Sequence, residues 1–135
     1  MNANELMLGN IVLNEYGKRQ KVASIDEGSG IVSFSEAEDT FFCNYISQIK
    51  PVELTLEFIE KHGFVRQKED FTPDVKLYEK KVDGRFVDVS LWENGRWYVR
   101  VDDCNRESLG GCFVKHVHEF QNICTLCGIE KVFKS

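Results

Sequence analysis

The sequence has no basic tail and no block of basic residues. Binding to nucleic acid chiefly through the phosphate backbone needs clustered Lys and Arg, so that class of function has no electrostatic footprint here. No apolar stretch approaches the roughly 20 residues that cross a bilayer. The start, Met1-Asn-Ala-Asn-Glu-Leu6, lacks the basic segment and apolar run of a secretion signal. A cytoplasmic protein without a membrane partner is therefore expected. There is no GxGxxG, no P-loop and no HExxH, and neither an internal repeat nor a low-complexity tract. No cofactor is expected from motifs of these kinds.

What is present is an ordinary globular balance. The chain has 135 residues, 42% hydrophobic and 29% charged, with a formal net charge of −5. That is far from the composition of disordered chains and suits one compact unit or two small lobes sharing a core. The cysteines are Cys43, Cys104, Cys112, Cys124 and Cys127. Their odd number, without a secretion signal, points to thiols in a reducing compartment rather than to a disulfide framework.

The first 53 residues read as short strands broken by turns. Strands are expected at Ile11 to Leu13, Gln20 to Ile25, Ile31 to Phe34, Thr40 to Cys43 and Ile46 to Val52, with turns at Glu15 to Lys18 and Glu27 to Gly30. This spacing suggests a bent antiparallel sheet or a small barrel. Leu54 to Phe64 reads as a helix. Thr55 is its N-cap, Leu54 and Ile59 stand at staple positions, and Gly63 is placed for a left-handed residue just past its end.

Lys68 to Asp74, with Pro73, reads as a loop. Three strands then follow, Val75 to Val82, Arg85 to Trp92 and Arg96 to Val101, joined by Asp83-Gly84 and Asn94-Gly95. Both dipeptides favour two-residue type I′ turns. That register sets Trp92 opposite Trp97, Leu91 opposite Tyr98 and Val89 opposite Tyr78. One face would carry Tyr78, Val87, Val89, Leu91 and Tyr98, with the helices packed on it. The other would carry Leu77, Phe86, Trp92, Trp97, Val99 and Val101. Asp102 to Gly111 reads as a polar loop, and Val114 to Cys127 as a second helix. Phe113, Val117, Phe120, Cys124 and Cys127 would form its apolar stripe. The expected fold is thus α+β: an N-terminal lobe (1–53), then an α-β-β-β-α lobe with a three-stranded meander (54–135).

Three candidate sites emerge. His116, His118, Cys124 and Cys127 form a His/Cys cluster of the kind that holds tetrahedral zinc. Against this, a helix would point His116 and His118 to nearly opposite sides, and His118 is about 9 Å along the axis from Cys124. The cysteines also continue an apolar stripe, where a thiol acts as a small hydrophobe. The second candidate is the aromatic sheet face of Trp92, Trp97 and Phe86, which could stack bases or grip a peptide unless another element covers it. The third is the polar side of the last helix. His118, Gln121 and Asn122, with Trp92 or Trp97 nearby, could hydrogen-bond a protein or nucleic-acid partner. The competing reading of these three is that they satisfy backbone groups inside the protein.

Three segments carry a resemblance. N-A-N-E-L-M-L-G-N-I-V at the start, I-K-P-V-E-L-T-L-E-F-I-E-K-H-G-F in the middle and V-K-H-V-H-E-F-Q-N-I near the end lie in this order over nearly the whole chain. They resemble the N-E-L-R-x-G-N-x-V, I-x-P-I-x-L-T-E-E-x-L-x-x-x-G-F and V-K-Y-V-H-E-L-Q-N-L segments of a group of short proteins encoded by gut anaerobes and their phages. The resemblance implies a phage or mobile-element setting and no reaction. His118, Glu119, Gln121 and Asn122 match that group's last motif. The positions of Cys124 and Cys127 are aromatic or aliphatic there, which fits core residues. The function expected is a non-enzymatic binding or adaptor module; the alternative is a zinc-binding or Cys/His-dependent module.

Overall fold

A computed structural model describes residues 1–35, 43–67 and 75–133. The fold is α+β and consists mostly of two antiparallel five-stranded sheets. The chain divides into two compact units, Met1–Glu53 with His116–Asn122, and Leu54–Lys115 with Ile123–Ser135. Residues 116–122 thus group with the N-terminal sheet rather than with the rest of 54–135.

In the first unit the strands are β1 (Ile11–Leu13), β2 (Arg19–Asp26), β3 (Ile31–Phe34), β4 (Cys43–Tyr45) and β5 (Lys50–Pro51), in the order β4-β3-β2-β1-β5. The sheet stays open, so the barrel alternative does not hold. Its turns form where expected. Asn14 Oδ1 accepts from the backbone N–H of Tyr16 and Lys18, and Asp26 Oδ1 accepts from that of Gly28. Leu6, Val12, Val22, Val32, Phe34 and Ile49 make the core. The expected strand 46–52 is shorter because Ile46–Gln48 forms a 3₁₀ turn, closed by Gln48 Oε1 accepting from Tyr45 N–H at 2.9 Å. Thr40 to Phe42 and the loop 68–74 lie outside the described residues.

In the second unit helix α1 (Leu56–Lys61) is capped as its sequence predicts. Thr55 Oγ1 accepts from Phe58 N–H at 3.2 Å. At the other end Gly63 adopts φ +86°, and Phe64 N–H donates to Ile59 C=O while Gly63 N–H donates to Glu60 C=O, the Schellman pattern. The sheet contains β6 (Val65–Arg66), β7 (Lys76–Val82), β8 (Arg85–Leu91), β9 (Trp97–Asp102) and β10 (Ser108–Val114), in the order β10-β9-β8-β7-β6. The expected meander is its centre, and β6 and β10 extend it on either side.

Two corrections follow from backbone geometry. The first hairpin is a two-residue turn with Asp83 and Gly84 both at positive φ. The second is not. Trp92 N–H donates to Arg96 C=O and Gly95 N–H to Trp92 C=O, and only Gly95 has positive φ. This is a three-residue loop ending in a left-handed glycine. The register therefore slips by one, to Leu91↔Trp97, Val89↔Val99 and Val87↔Val101. A one-residue slip moves every side chain of the strand to the other face. Trp97, Val99 and Val101 join Val87 and Val89 in the core, whereas Tyr98 moves to the opposite side with Phe86.

The second correction is β10, expected as a loop and helix start. Gly110 and Gly111 are poor strand formers and hid it. In the sheet a Cβ on Gly111 would meet Tyr98 Oη at 2.6 Å, so the ring of Tyr98 occupies the space a side chain would take. Phe113 belongs to this strand and not to the helix stripe. Helix α2 runs Val117–Leu126 and ends in a second Schellman pattern, Ile129 N–H to Cys124 C=O with Gly128 at φ +90°. The end of α1 lies on the Val87 face, where Lys80 Nζ donates to His62 C=O at 2.8 Å. The end of α2 lies there too, with Cys127 Sγ and Ile123 over Gly110.

Candidate functional site

The polar run of α2 is tied into its own unit. Gln121 Oε1 accepts from Ile11 N–H at 2.8 Å and Gln121 Nε2 donates to Gly9 C=O at 3.1 Å. Asn122 Nδ2 donates to Glu5 C=O at 2.7 Å, and its Oδ1 accepts from Asn10 Nδ2 at 2.8 Å. Asn10 Oδ1 in turn accepts from Met7 N–H. Segment 5–11, which leads into β1, thus has Glu5 C=O, Gly9 C=O and Ile11 N–H bonded by two amide side chains on consecutive helical positions. The expectation that Gln121 and Asn122 stand ready for a partner gives way to this use.

His118 is 1% exposed. Neither ring nitrogen has a hydrogen-bond partner among the described residues; Nε2 lies 3.5 Å from Glu5 Oε2, an electrostatic contact and not a formed hydrogen bond. Burial pushes its pKa below the ordinary histidine value, against the pull of the Glu119 and Glu5 carboxylates. His118 is therefore not on a polar surface. His116 stacks on it, ring centroids 5.6 Å apart and 11° from parallel. The two rings were expected to diverge. They meet because His116 precedes the helix, where its N–H donates to Glu119 Oε1 at 2.9 Å in one half of a capping box.

The zinc alternative finds no assembled ligand set. Among the described residues no three His, Cys, Asp or Glu side chains come together as a metal group. All five cysteines are thiols. Cys124 is fully buried, with its thiol pushed far up by burial. Cys127 is only half-buried, its thiol also raised by burial, so the apolar stripe ends before it.

The outer face of the second sheet has a different character. Trp92 and Phe113 are each 44% exposed. Trp92 and Tyr98 both meet Phe113 edge-on, at centroid distances of 6.3 and 5.0 Å. The Arg96 guanidinium lies 4.1 Å from the Phe113 ring centre, and that of Arg106 lies 3.6 Å from the Phe86 ring centre. Trp97, grouped with Trp92 by the sequence, is instead 6% exposed on the core face. Of the aromatic set foreseen from sequence, the structure keeps Trp92 and Phe86 on the outer face and adds Tyr98 and Phe113. The signal that could have found these two is loop length at Asn94-Gly95, which decides the parity of β9.

Beside the rings lies a charged row built from cross-strand neighbours Glu79↔Asp88↔Arg100. Arg106 donates twice to Glu79, at 2.6 and 3.1 Å, and holds its carboxyl below the usual range, with help from Asp88. Asp88 is pushed up to about 7, first by burial and then by Glu79. Its Oδ1 is buried without a hydrogen-bond partner among the described residues. Arg100 Nε donates to the buried Asp102 at 2.6 Å. Two of the face's arginines are thus neutralised by the protein's own carboxylates.

Comparisons with protein-family models, curated proteins and solved structures find no match to this chain.

Proposed function

We propose that this chain is a non-enzymatic binding or adaptor module of a cytoplasmic, phage-like or mobile-element setting, and that it binds through the outer face of its second sheet. The observation that carries this reading is the aromatic group of Trp92 and Phe113, both exposed, and half-buried Tyr98, with the Arg96 guanidinium over Phe113. Exposed rings held edge-on by their neighbours lose little conformational entropy on binding, and Trp, Tyr and Arg are the types that anchor interfaces. By contrast, Gln121 and Asn122 have internal partners and His118 is buried. The five thiols fit a reducing compartment, and among the described residues no helix is long and apolar enough to cross a membrane.

A polypeptide partner is favoured over nucleic acid. Arg100 and Arg106 are bonded to Asp102 and Glu79, which leaves little positive charge to neutralise phosphates. The test is capture from the native host on immobilised protein, read by mass spectrometry for protein and for nucleic acid. Trp92→Ala with Arg96→Ala should abolish capture of the wild-type partner at unchanged fold. Capture undiminished by the pair would remove this face from consideration. The zinc-dependent alternative would be favoured by stoichiometric zinc in protein purified without chelator and lost on Cys124→Ser.

A further inference from the structure

We infer that the partner of the outer face is an acidic polypeptide segment with an apolar anchor, whose carboxylates meet the exposed cations Lys81 and Arg96 while the anchor packs among the rings. This rests on the reading that the outer face of the second sheet binds, and adds the chemistry of what it binds. Cross-strand pairing puts Lys81 beside Phe86 and Phe86 beside Asp102, and sets Glu79, Asp88 and Arg100 in one row, on the side that also carries Tyr98 and Phe113. Arg96 and Arg106 reach the same side from before and after β9, over Phe113 and Phe86.

The charges of this face are layered. Lys81, Arg96, Arg100 and Arg106 are exposed, whereas Glu79 and Asp88 are half-buried and Asp102 is buried. In the two ion pairs the arginine side chains are 49% and 51% exposed and their carboxylates only 4% and 19%. An approaching molecule therefore touches cations before carboxylates. Arg100 gives only Nε–H to Asp102, so its terminal N–H groups remain for a carboxylate. Lys81 lies 5.5 Å from the Phe86 ring centre, and neither it nor Arg96 has a carboxylate partner among the described residues. Asp88, pushed up to about 7 by burial and by Glu79, is only partly ionised at neutral pH. In a chain of net charge −5 this face thus presents positive charge. Glu93, Asp103 and Glu107 lie in the loops at its two ends.

Uncompensated charge confined to Lys81 and Arg96 suits a few placed carboxylates and not a polyanion. A nucleic-acid strand carries a phosphate at every step and would have to cross the row of Glu79 and Asp88, which lies between those two cations. A polypeptide puts its charges where the cations are. On β8, Phe86, beside Lys81, is four residues from Ser90, beside Tyr98. At about 3.4 Å per residue this is about 14 Å. An extended segment spans it with acidic residues about four positions apart and an apolar residue against Trp92, Tyr98 or Phe113. Complementary charge of this kind sets encounter rate and register, while the ring contacts supply most of the affinity.

The experiment pans a random peptide display library on the full wild-type chain and, in parallel, on Trp92→Ala with Arg96→Ala, whose circular dichroism spectrum checks the fold. Peptides retained by the wild type alone should carry more Asp and Glu than Lys and Arg, next to Trp, Phe or Leu. For a synthetic copy of one such peptide, Lys81→Glu should weaken binding at least about threefold by titration calorimetry. Binding unchanged in Lys81→Glu, or retained peptides that are neutral or basic, overturns the acidic partner and leaves the binding face in place. Oligouridylate that displaces the peptide at a lower concentration makes nucleic acid the occupant and overturns the inference. Self-association of the wild-type chain that is lost in the double variant makes a second copy the occupant and does the same. If no peptide depends on Trp92 and Arg96, the inference and the reading of this face as a binding site fail together.

Discussion

At the scale of single residues, the buried His118 and the half-buried Gln121 and Asp88 make contrasting predictions. Gln121 satisfies one backbone donor and one acceptor of the segment before β1. Gln121→Ala leaves Ile11 N–H without that partner, and with His118→Ala the loss should reach about 2 kcal/mol or more by urea unfolding, the scale of unsatisfied buried polar groups. A loss within about 0.5 kcal/mol, as for ordinary surface changes, would return these residues to the list of partner contacts. His118 is held neutral by burial. Its folded pKa lies below the unfolded value of 6.5, so the unfolded chain takes up the proton first as pH falls. The stability this neutral ring contributes is fully present above pH 6.5 and declines as pH drops below it. His118→Phe should flatten that part of the pH profile, and a titration of the ring by NMR should give a midpoint below an exposed histidine's. Asp88 has the opposite sign. Its pKa is raised from 3.8 to about 7, so the folded state holds a proton that the unfolded state has released, and stability falls as pH rises from about 4 to 7. Asp88→Asn should therefore stabilise the protein at pH 8 and have little effect near pH 4. Because the group is only about half-buried, solvent screening reduces the gain to roughly 1 kcal/mol.

At the scale of elements, what the sequence disclosed depended on whether the decisive signal was local. The caps of α1, the Asp83-Gly84 turn and the stop at Gly128 were legible because each is written in two or three adjacent residues. The Asn94-Gly95 turn was not, since the same dipeptide serves a two-residue loop or the end of a three-residue one, and which of them forms is set by packing of Trp97, Val99 and Val101 into the core. That ambiguity alone moved Trp97 off the candidate face and Tyr98 onto it. Strand β10 was hidden because the space at its glycines is filled by other elements, by Tyr98 of β9 at Gly111 and by Cys127 and Ile123 at Gly110. The Gln121 and Asn122 bonds span more than a hundred positions, beyond any local pattern. The loop assignment has its own test. Gly95 has φ +80°, whereas Asn94 is not among the residues at positive φ. Gly95→Ala should cost about 1 kcal/mol or more, and Asn94→Ala clearly less. Equal costs at both positions would indicate the two-residue turn instead.

For the molecule as a whole, charge decides which partners are reachable. The chain carries −5, and the arginines nearest the exposed rings include two that are bonded to its own carboxylates. Association with nucleic acid through several phosphates would weaken by about three orders of magnitude or more between 50 and 200 mM salt. A contact made by Trp92, Tyr98 and Phe113 gains from apolar area and ring geometry, which salt screens little. Once the partner is in hand, its dissociation constant should therefore change less than about tenfold over that range of salt. The two tryptophans give an internal reading of the same event. Trp92 is exposed and Trp97 is buried, so acrylamide should quench one and spare the other in the unbound protein. Binding at the outer face should protect Trp92, and in Trp92→Phe the remaining emission from Trp97 should not respond to the partner. Steep salt dependence together with unprotected Trp92 would mean that binding uses charge at some other surface, and the aromatic face would then be a feature of sheet packing alone.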